Sequence, residues 1–155
     1  ATDTAGTYEV LLHALNYYES KGETFDVVVL LQATSPFRTG NHIKEALKLY
    51  SKEIDMVVSV KETDSNPYYI CFEDDANGML HISKGDGHYT RRQDCPPVYE
   101  YNGAIYIINP DSLKRMPLYK FTKRVKYVMD RGHSIDLDTM IDWQIAEYMI
   151  NNHLI

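Results

Sequence analysis

A chain of 155 residues, 44% apolar and 25% charged, has the proportions of one globular domain able to bury roughly two-thirds of its unfolded surface, which excludes a disordered chain, a collagen and a coiled coil. No apolar run approaches the roughly 18 residues of a membrane span, and 16 Lys plus Arg against 22 Asp plus Glu leave a net charge of −6, which argues against nucleic-acid binding through a basic face. Two cysteines in no CxxC pair, Cys71 and Cys95, encode neither a disulfide framework nor a zinc ribbon, and with no leader-like opening the expectation is a cytoplasmic protein.

Val10, Leu11, Ala14, Leu15 and Tyr18 recur at helical spacing, so the pattern predicts a helix over 7–20 that stops at Gly22. Residues 26–32 are apolar without alternation, as in a strand covered on both faces. The stretch 33–40 reads as a loop at that strand's carboxyl end, 41–52 as a helix and 55–60 as a second buried strand. Strand, helix, strand predicts a right-handed crossover in a doubly wound, mostly parallel α/β sheet.

Residues 66–100 differ, with three of the six prolines and an Asn77-Gly78 turn signal between two short apolar runs. They read as an excursion from the sheet. Its Tyr68, Tyr69, Phe72 and Tyr89 would be poorly covered on a lone hairpin, so docking on a second subunit is expected, against the alternative of an arm folded back on its own domain. Residues 102–108 resume the sheet, Pro110–Met116 gives a short helix, 126–129 a strand, and Thr139–Asn152 a closing helix. The whole chain, 1–155, is one domain with an arm at about 66–100.

Asp136 and Asp138 form the best chemical constellation. Residues i and i+2 of an extended segment project from one face about 6.5–7 Å apart, so both carboxylates can converge on a hard cation such as Mg2+. Alternatively Asp138 caps the helix from Thr139 and Asp136 is merely solvated. Gln32 ends a strand at the edge where open α/β sheets bind ligands, and Asn102 before Gly103 invites the same reading. For each, the alternative is a side chain bonded to its own loop. Arg91 and Arg92 could bind phosphate or carboxylate, or form a solvated face. The six histidines fall in no ligand spacing and receive no role. No GxGxxG or GxxxxGK[ST] phosphate cradle occurs, so a nucleotide-binding front is expected upstream of Ala1.

Taken together, Thr2-Asp-Thr-Ala5, Leu31-Gln-Ala-Thr-Ser-Pro-Phe-Arg38, Arg91-Arg-Gln-Asp94, Tyr101-Asn-Gly-Ala-Ile-Tyr106 and Ser134-Ile-Asp-Leu-Asp138 resemble the acylneuraminate cytidylyltransferases, of which the chain would be the C-terminal two-thirds. The resemblance implies a Rossmann-like fold and a homodimer bridged by the arm. It also implies transfer of CMP from CTP to an acidic nine-carbon α-keto sugar, releasing pyrophosphate with Mg2+. By position, Asp136 and Asp138 would hold the metal, Gln32 and Asn102 would contact the sugar, and Ala5 and Thr7 the cytidine. Arg91, with Arg92 as second choice, would contact the phosphates. Two other readings stand: an enzyme for pseudaminic, legionaminic or 3-deoxyoctulosonic acid, and a catalytically silent sugar-binding or dimerisation module.

Overall fold

The computed structural model describes residues 6–155. Along the chain run α1 (Thr7–Glu19), β1 (Val28–Leu30), α2 (Gly40–Lys48), β2 (Met56–Glu62), β3 (Phe72–Asp74), β4 (Leu80–Ile82), β5 (Tyr99–Ile108), α3 (Pro110–Arg115), β6 (Arg124–Val128) and α4 (Met140–Asn151), with three short 3₁₀ turns. No helix among the described residues is long and apolar enough to cross a membrane.

The first five residues of β2 are all buried, because helices cover both faces of its sheet. On one face Leu15 of α1 and Leu113 of α3 pack with Met56, Val58, Val60 and Ile108. On the other, Ala46 of α2 packs with Val57, Ile105, Ile107 and Met129. The strand order is β1-β5-β2-β6. β2 and β6 pair in parallel, whereas β5 is antiparallel to both β1 and β2. Three strands therefore share one direction and β5 opposes them, which corrects the direction implied for residues 102–108. The cause is the excursion. The chain leaves the end of β2 and comes back at that same end, with Glu62 opposite Tyr99 and Thr63 N donating to Val98 O at 2.9 Å, and such a return can only run antiparallel.

In the excursion β3 and β4 pair antiparallel around the Asn77-Gly78 turn, and Gly78 adopts a φ of +77° there. Asp75 Oδ1 accepts hydrogen bonds from Asn77 N and Met79 N at 2.8 and 2.9 Å, closing the turn. Tyr68 and Tyr89 meet edge-on and are half-buried, while Ile70, Phe72, Met79 and Leu80 stay exposed. α4 is equally bare. Thr139 and Asp142 close a capping box at its start, but Ala146 is its one buried residue, and Ile141, Trp143, Ile145 and Tyr148 face outward.

Buried Asp55 ties three segments together at the start of β2. Its Oδ1 accepts from Ser112 Oγ at 2.7 Å, and its Oδ2 from Lys123 N and Thr122 N at 2.9 and 3.1 Å. Burial alone would raise the pKa of this carboxyl, yet these donors hold it below the usual carboxylate range.

Candidate active site

The site grows from a break in the β2–β5 ladder. On β2 only Ser59 separates Val58 from Val60, whereas on β5 residues 102–105 lie between their partners Tyr101 and Tyr106. The extra residues bulge out of the sheet, a device that re-aims side chains beside binding sites. Buried Ser59 repairs the ladder, with Oγ donating to Asn102 Oδ1 at 2.6 Å and accepting from Ile105 N at 2.7 Å.

Gly103, at φ +76°, sits at the crest of the bulge. A Cβ there would lie 2.5 Å from Gln32 Oε1, 3.2 Å from Asp136 Oδ2 and 3.4 Å from Ser35 Oγ. Three polar side chains from two distant loops thus converge on one glycine. Two cross-links hold them. Arg38 Nη1 donates to Gln32 O at 2.6 Å and to Ala104 O at 3.1 Å, and Leu137 N donates to Thr34 O at 2.9 Å. Within this cluster Ser35 Oγ and Asp136 Oδ1 are buried with no hydrogen-bond partner. Since nearly all buried polar atoms are paired, these two leave hydrogen-bonding capacity that a bound water or ligand can meet.

Gly103→Ala is expected to cost about 1–2 kcal/mol from the left-handed backbone alone, and to push the Gln32 amide aside. Thermal unfolding measures the first effect and the structure of the variant the second.

Asp136 and Asp138 both line a cavity of about 390 Å3, with Asn102, Lys61, Arg131 and Ser134 also in its wall. Thr139, not Asp138, caps α4, so exposed Asp138 is free to face the cavity. Asn102 is buried and fully engaged. Its Oδ1 accepts from Ser59 Oγ and Ala104 N, and its Nδ2 donates to Ser134 Oγ at 2.9 Å and approaches Met129 Sδ at 3.4 Å. It shapes the wall and holds the loop before Asp136 rather than presenting a free amide. Gln32 opens instead onto a neighbouring depression of about 250 Å3 shared with Thr7, Val10 and Leu11. Ala5 lies outside the described residues.

The two arginines of the RRQ segment part company. Arg91 makes a two-pronged pair with Asp94, from Nε at 2.8 Å and Nη2 at 3.0 Å, out on the surface. Arg92 pairs with Asp64, which also pairs with Arg131. The Arg92 hydrogen bond, reinforced by Arg131 against the opposing effect of burial, holds Asp64 below the usual carboxylate range. Arg92 is therefore linked through Asp64 to Arg131 in the cavity wall, two ion pairs away, whereas Arg91 pairs only with Asp94. Sequence reasoning missed Arg131, Lys61 and Ser35. Arg131 stands just ahead of the SxDxD segment, the one signal that could have drawn attention to it, while nothing around Lys61 in the sequence distinguishes it from a solvated lysine.

The donor set suits Mg2+. Asp136 offers a buried, unpartnered carboxylate oxygen and Asp138 an exposed carboxylate on the same cavity, and magnesium prefers one or two carboxylates with waters and phosphate oxygens completing its shell.

No protein-family model matches the chain. It is 37% identical over 144 residues, 92% of its length, to an N-acylneuraminate cytidylyltransferase of Streptococcus agalactiae serotype V, and 33% identical over 148 residues to one of Escherichia coli O18:K1:H7. It spans about a third of the length of these relatives, 34% of each. It is 30% identical over 153 residues to a CMP-N,N'-diacetyllegionaminic acid synthase of Legionella pneumophila, covering 65% of that protein. Its fold matches a solved structure of CMP:2-keto-3-deoxy-manno-octonic acid synthetase complexed with CTP at a TM-score of 0.62 and 12% identity, over 97% of this chain and 70% of that one. Over 92–94% of its length the chain is homologous to N-acylneuraminate cytidylyltransferases.

Proposed function

We propose that the protein carrying this chain transfers CMP from CTP to the anomeric hydroxyl of an acidic nine-carbon α-keto sugar of the sialic acid class, releasing pyrophosphate with Mg2+. The observation that carries this reading is the unpartnered, buried Asp136 Oδ1 beside Asp138 and Gln32, on a chain whose relatives are CMP-sugar synthases. In the reaction the sugar hydroxyl oxygen forms a bond to the α-phosphorus, the bond to pyrophosphate breaks, and the hydroxyl proton passes to solvent. Asp136 and Asp138 would hold the metal, which when bound supplies positive charge to the phosphoryl oxygens and acidifies an oxygen it touches. Gln32 offers an amide to the sugar, and Asn102 keeps Ser134 and the following loop in place. Arg131 adds positive charge in the cavity wall, and Arg92, linked to it through Asp64, is preferred to Arg91 for the phosphates within one subunit. Thr7, with Ala5, is assigned to the cytidine.

Gln32→Ala is expected to weaken sugar binding by about 1–3 kcal/mol, through loss of a buried partner, and to leave the KM for CTP nearly unchanged. Asn102→Ala, by contrast, should lower thermal stability, because Ser59 and Ser134 lose their partner. Steady-state kinetics paired with thermal unfolding separate the two. Equal effects of Gln32→Ala on both substrates would reassign Gln32 to the nucleotide.

A second reading, an enzyme for a related acid, is favoured by the Legionella relative, matched over 97% of this chain. Pyrophosphate release from CTP with N-acetylneuraminate, N,N'-diacetyllegionaminate, pseudaminate and 3-deoxyoctulosonate in parallel decides between them. Absence of CMP transfer to all four would favour a silent binding module instead.

We assign the hairpin to a homodimer contact, since Ile70, Phe72, Met79 and Leu80 leave an apolar surface bare on a two-stranded sheet. Light scattering on the 155-residue chain should give twice the monomer mass, and a monomer would remove the arm's cross-subunit role. This chain alone should bind CTP weakly by calorimetry, since it contains no glycine-rich phosphate cradle. The unpaired cysteines and acidic charge fit a cytoplasmic enzyme with no nucleic-acid or membrane partner.

A further inference from the structure

Beside the loop that carries Arg131 and Ser134 of the cavity wall, two histidines distant in the chain meet. His42, in the first turn of α2, and His133, in the 3₁₀ turn Gly132–Ser134, bring their rings to 4.7 Å between centroids at 87°. Asp130 completes the group, and one ligand atom from each of the three lies within 4.8 Å of the others. We propose that His42, Asp130 and His133 form a binding site for a divalent transition metal of the zinc class, which staples the start of α2 to the loop between β6 and Asp136.

The donor set selects the ion. Two imidazoles and one carboxylate suit zinc and its neighbours, whereas magnesium and calcium seek oxygen. Three protein ligands leave the fourth tetrahedral position to water. His133 Nδ1 and Asp130 Oδ2 stand 2.7 Å apart; a metal bound between them takes the place of that hydrogen bond, and the imidazole keeps its proton on Nε2. His42 Nδ1 accepts a 3.2 Å hydrogen bond from Thr39 N, leaving Nε2 as the ligand atom. Coordination there shifts the ring proton to Nδ1 and gives up that hydrogen bond, while the other half of the cap, His42 N donating to Thr39 Oγ1 at 3.3 Å, is retained.

The surroundings hold the ligands in place. His133 N donates to Asp130 Oδ1 at 3.1 Å, Ser134 Oγ to Asp130 O at 2.6 Å, and Met129 N to Val60 O at 2.8 Å, which anchors the loop to the central strand. Tyr127 OH donates to Glu45 Oε2 at 2.6 Å, a second tie between β6 and α2 that fixes their separation. Ligands around a four-coordinate zinc sit about 3.3 Å apart given bonds of about 2.0–2.1 Å.

The test is titration of the tag-free 155-residue chain with Co2+ as a visible probe, followed by displacement with Zn2+. The expected result is saturable one-to-one binding with the absorption of a tetrahedral ion, and a rise in melting temperature with Zn2+. His42→Gln keeps a side chain able to complete the α2 capping box and removes the imidazole, and with His133→Asn it should weaken Zn2+ binding by about 100-fold or more. Asp136→Ala should leave it unchanged. Circular dichroism verifies that each variant is folded. Absence of saturable binding to the unmodified chain, or undiminished binding to the folded double variant His42→Gln/His133→Asn, would overturn the proposal.

Discussion

On the proposed function, Asp138→Ala is expected to reduce turnover of the protein that carries this chain by orders of magnitude while leaving the melting temperature nearly unchanged. The side chain is exposed, takes no part in capping α4 and lies on the cavity wall beside Asp136, so its removal costs the fold little. On that reading, what it removes is charge placed where charge develops as the phosphoryl group transfers, a loss felt in the transition state. Asp136→Ala should act in the same direction with a weaker dependence on Mg2+ concentration, and it also relieves the cost of an unpartnered buried carboxylate oxygen, so its stability should hold or rise. CMP-sugar formation measured across a Mg2+ series, with a melting curve for each variant, is the check. Near-normal turnover of Asp138→Ala at saturating Mg2+ would remove the carboxylate pair from the metal assignment.

Asp55→Ala is expected to produce the largest loss of stability, about 2–4 kcal/mol, because Ser112 Oγ, Lys123 N and Thr122 N lose their acceptor in one step. The same carboxylate sets an acid limit. Its pKa is depressed in the folded chain, so the stability it contributes is present above the unfolded value of about 3.9 and is lost as pH falls from there through the folded pKa. Asp55→Asn removes that titration, so the stability difference from the unmodified chain should be largest near neutral pH and shrink below about pH 4. Urea unfolding between neutral pH and pH 3 measures both. A variant that loses stability in parallel with the unmodified chain through the acid range would show that other groups set the limit.

The local chemistry of the sequence determined the strands at the centre, the Asn77-Gly78 hairpin, the helix starts and the family resemblance. Each of these rests on periodicity, turn residues or motifs that act over a few residues. The Asp136–Asp138 pair was legible for the same reason, since an i, i+2 spacing is a local property. The direction of β5 was not, because it depends on which end of the sheet the excursion rejoins, and a buried apolar strand carries the same residues in either direction. Asn102 was legible as a polar residue at a bend, but only the bulge opposite Ser59 decided that its amide is spent on the wall of the site. The choice of Arg92 over Arg91, the recruitment of Arg131 through Asp64, and the meeting of His42 with His133 are likewise tertiary. Contacts between residues this far apart in the chain are set by how the layers pack, and no spacing within the sequence encodes them.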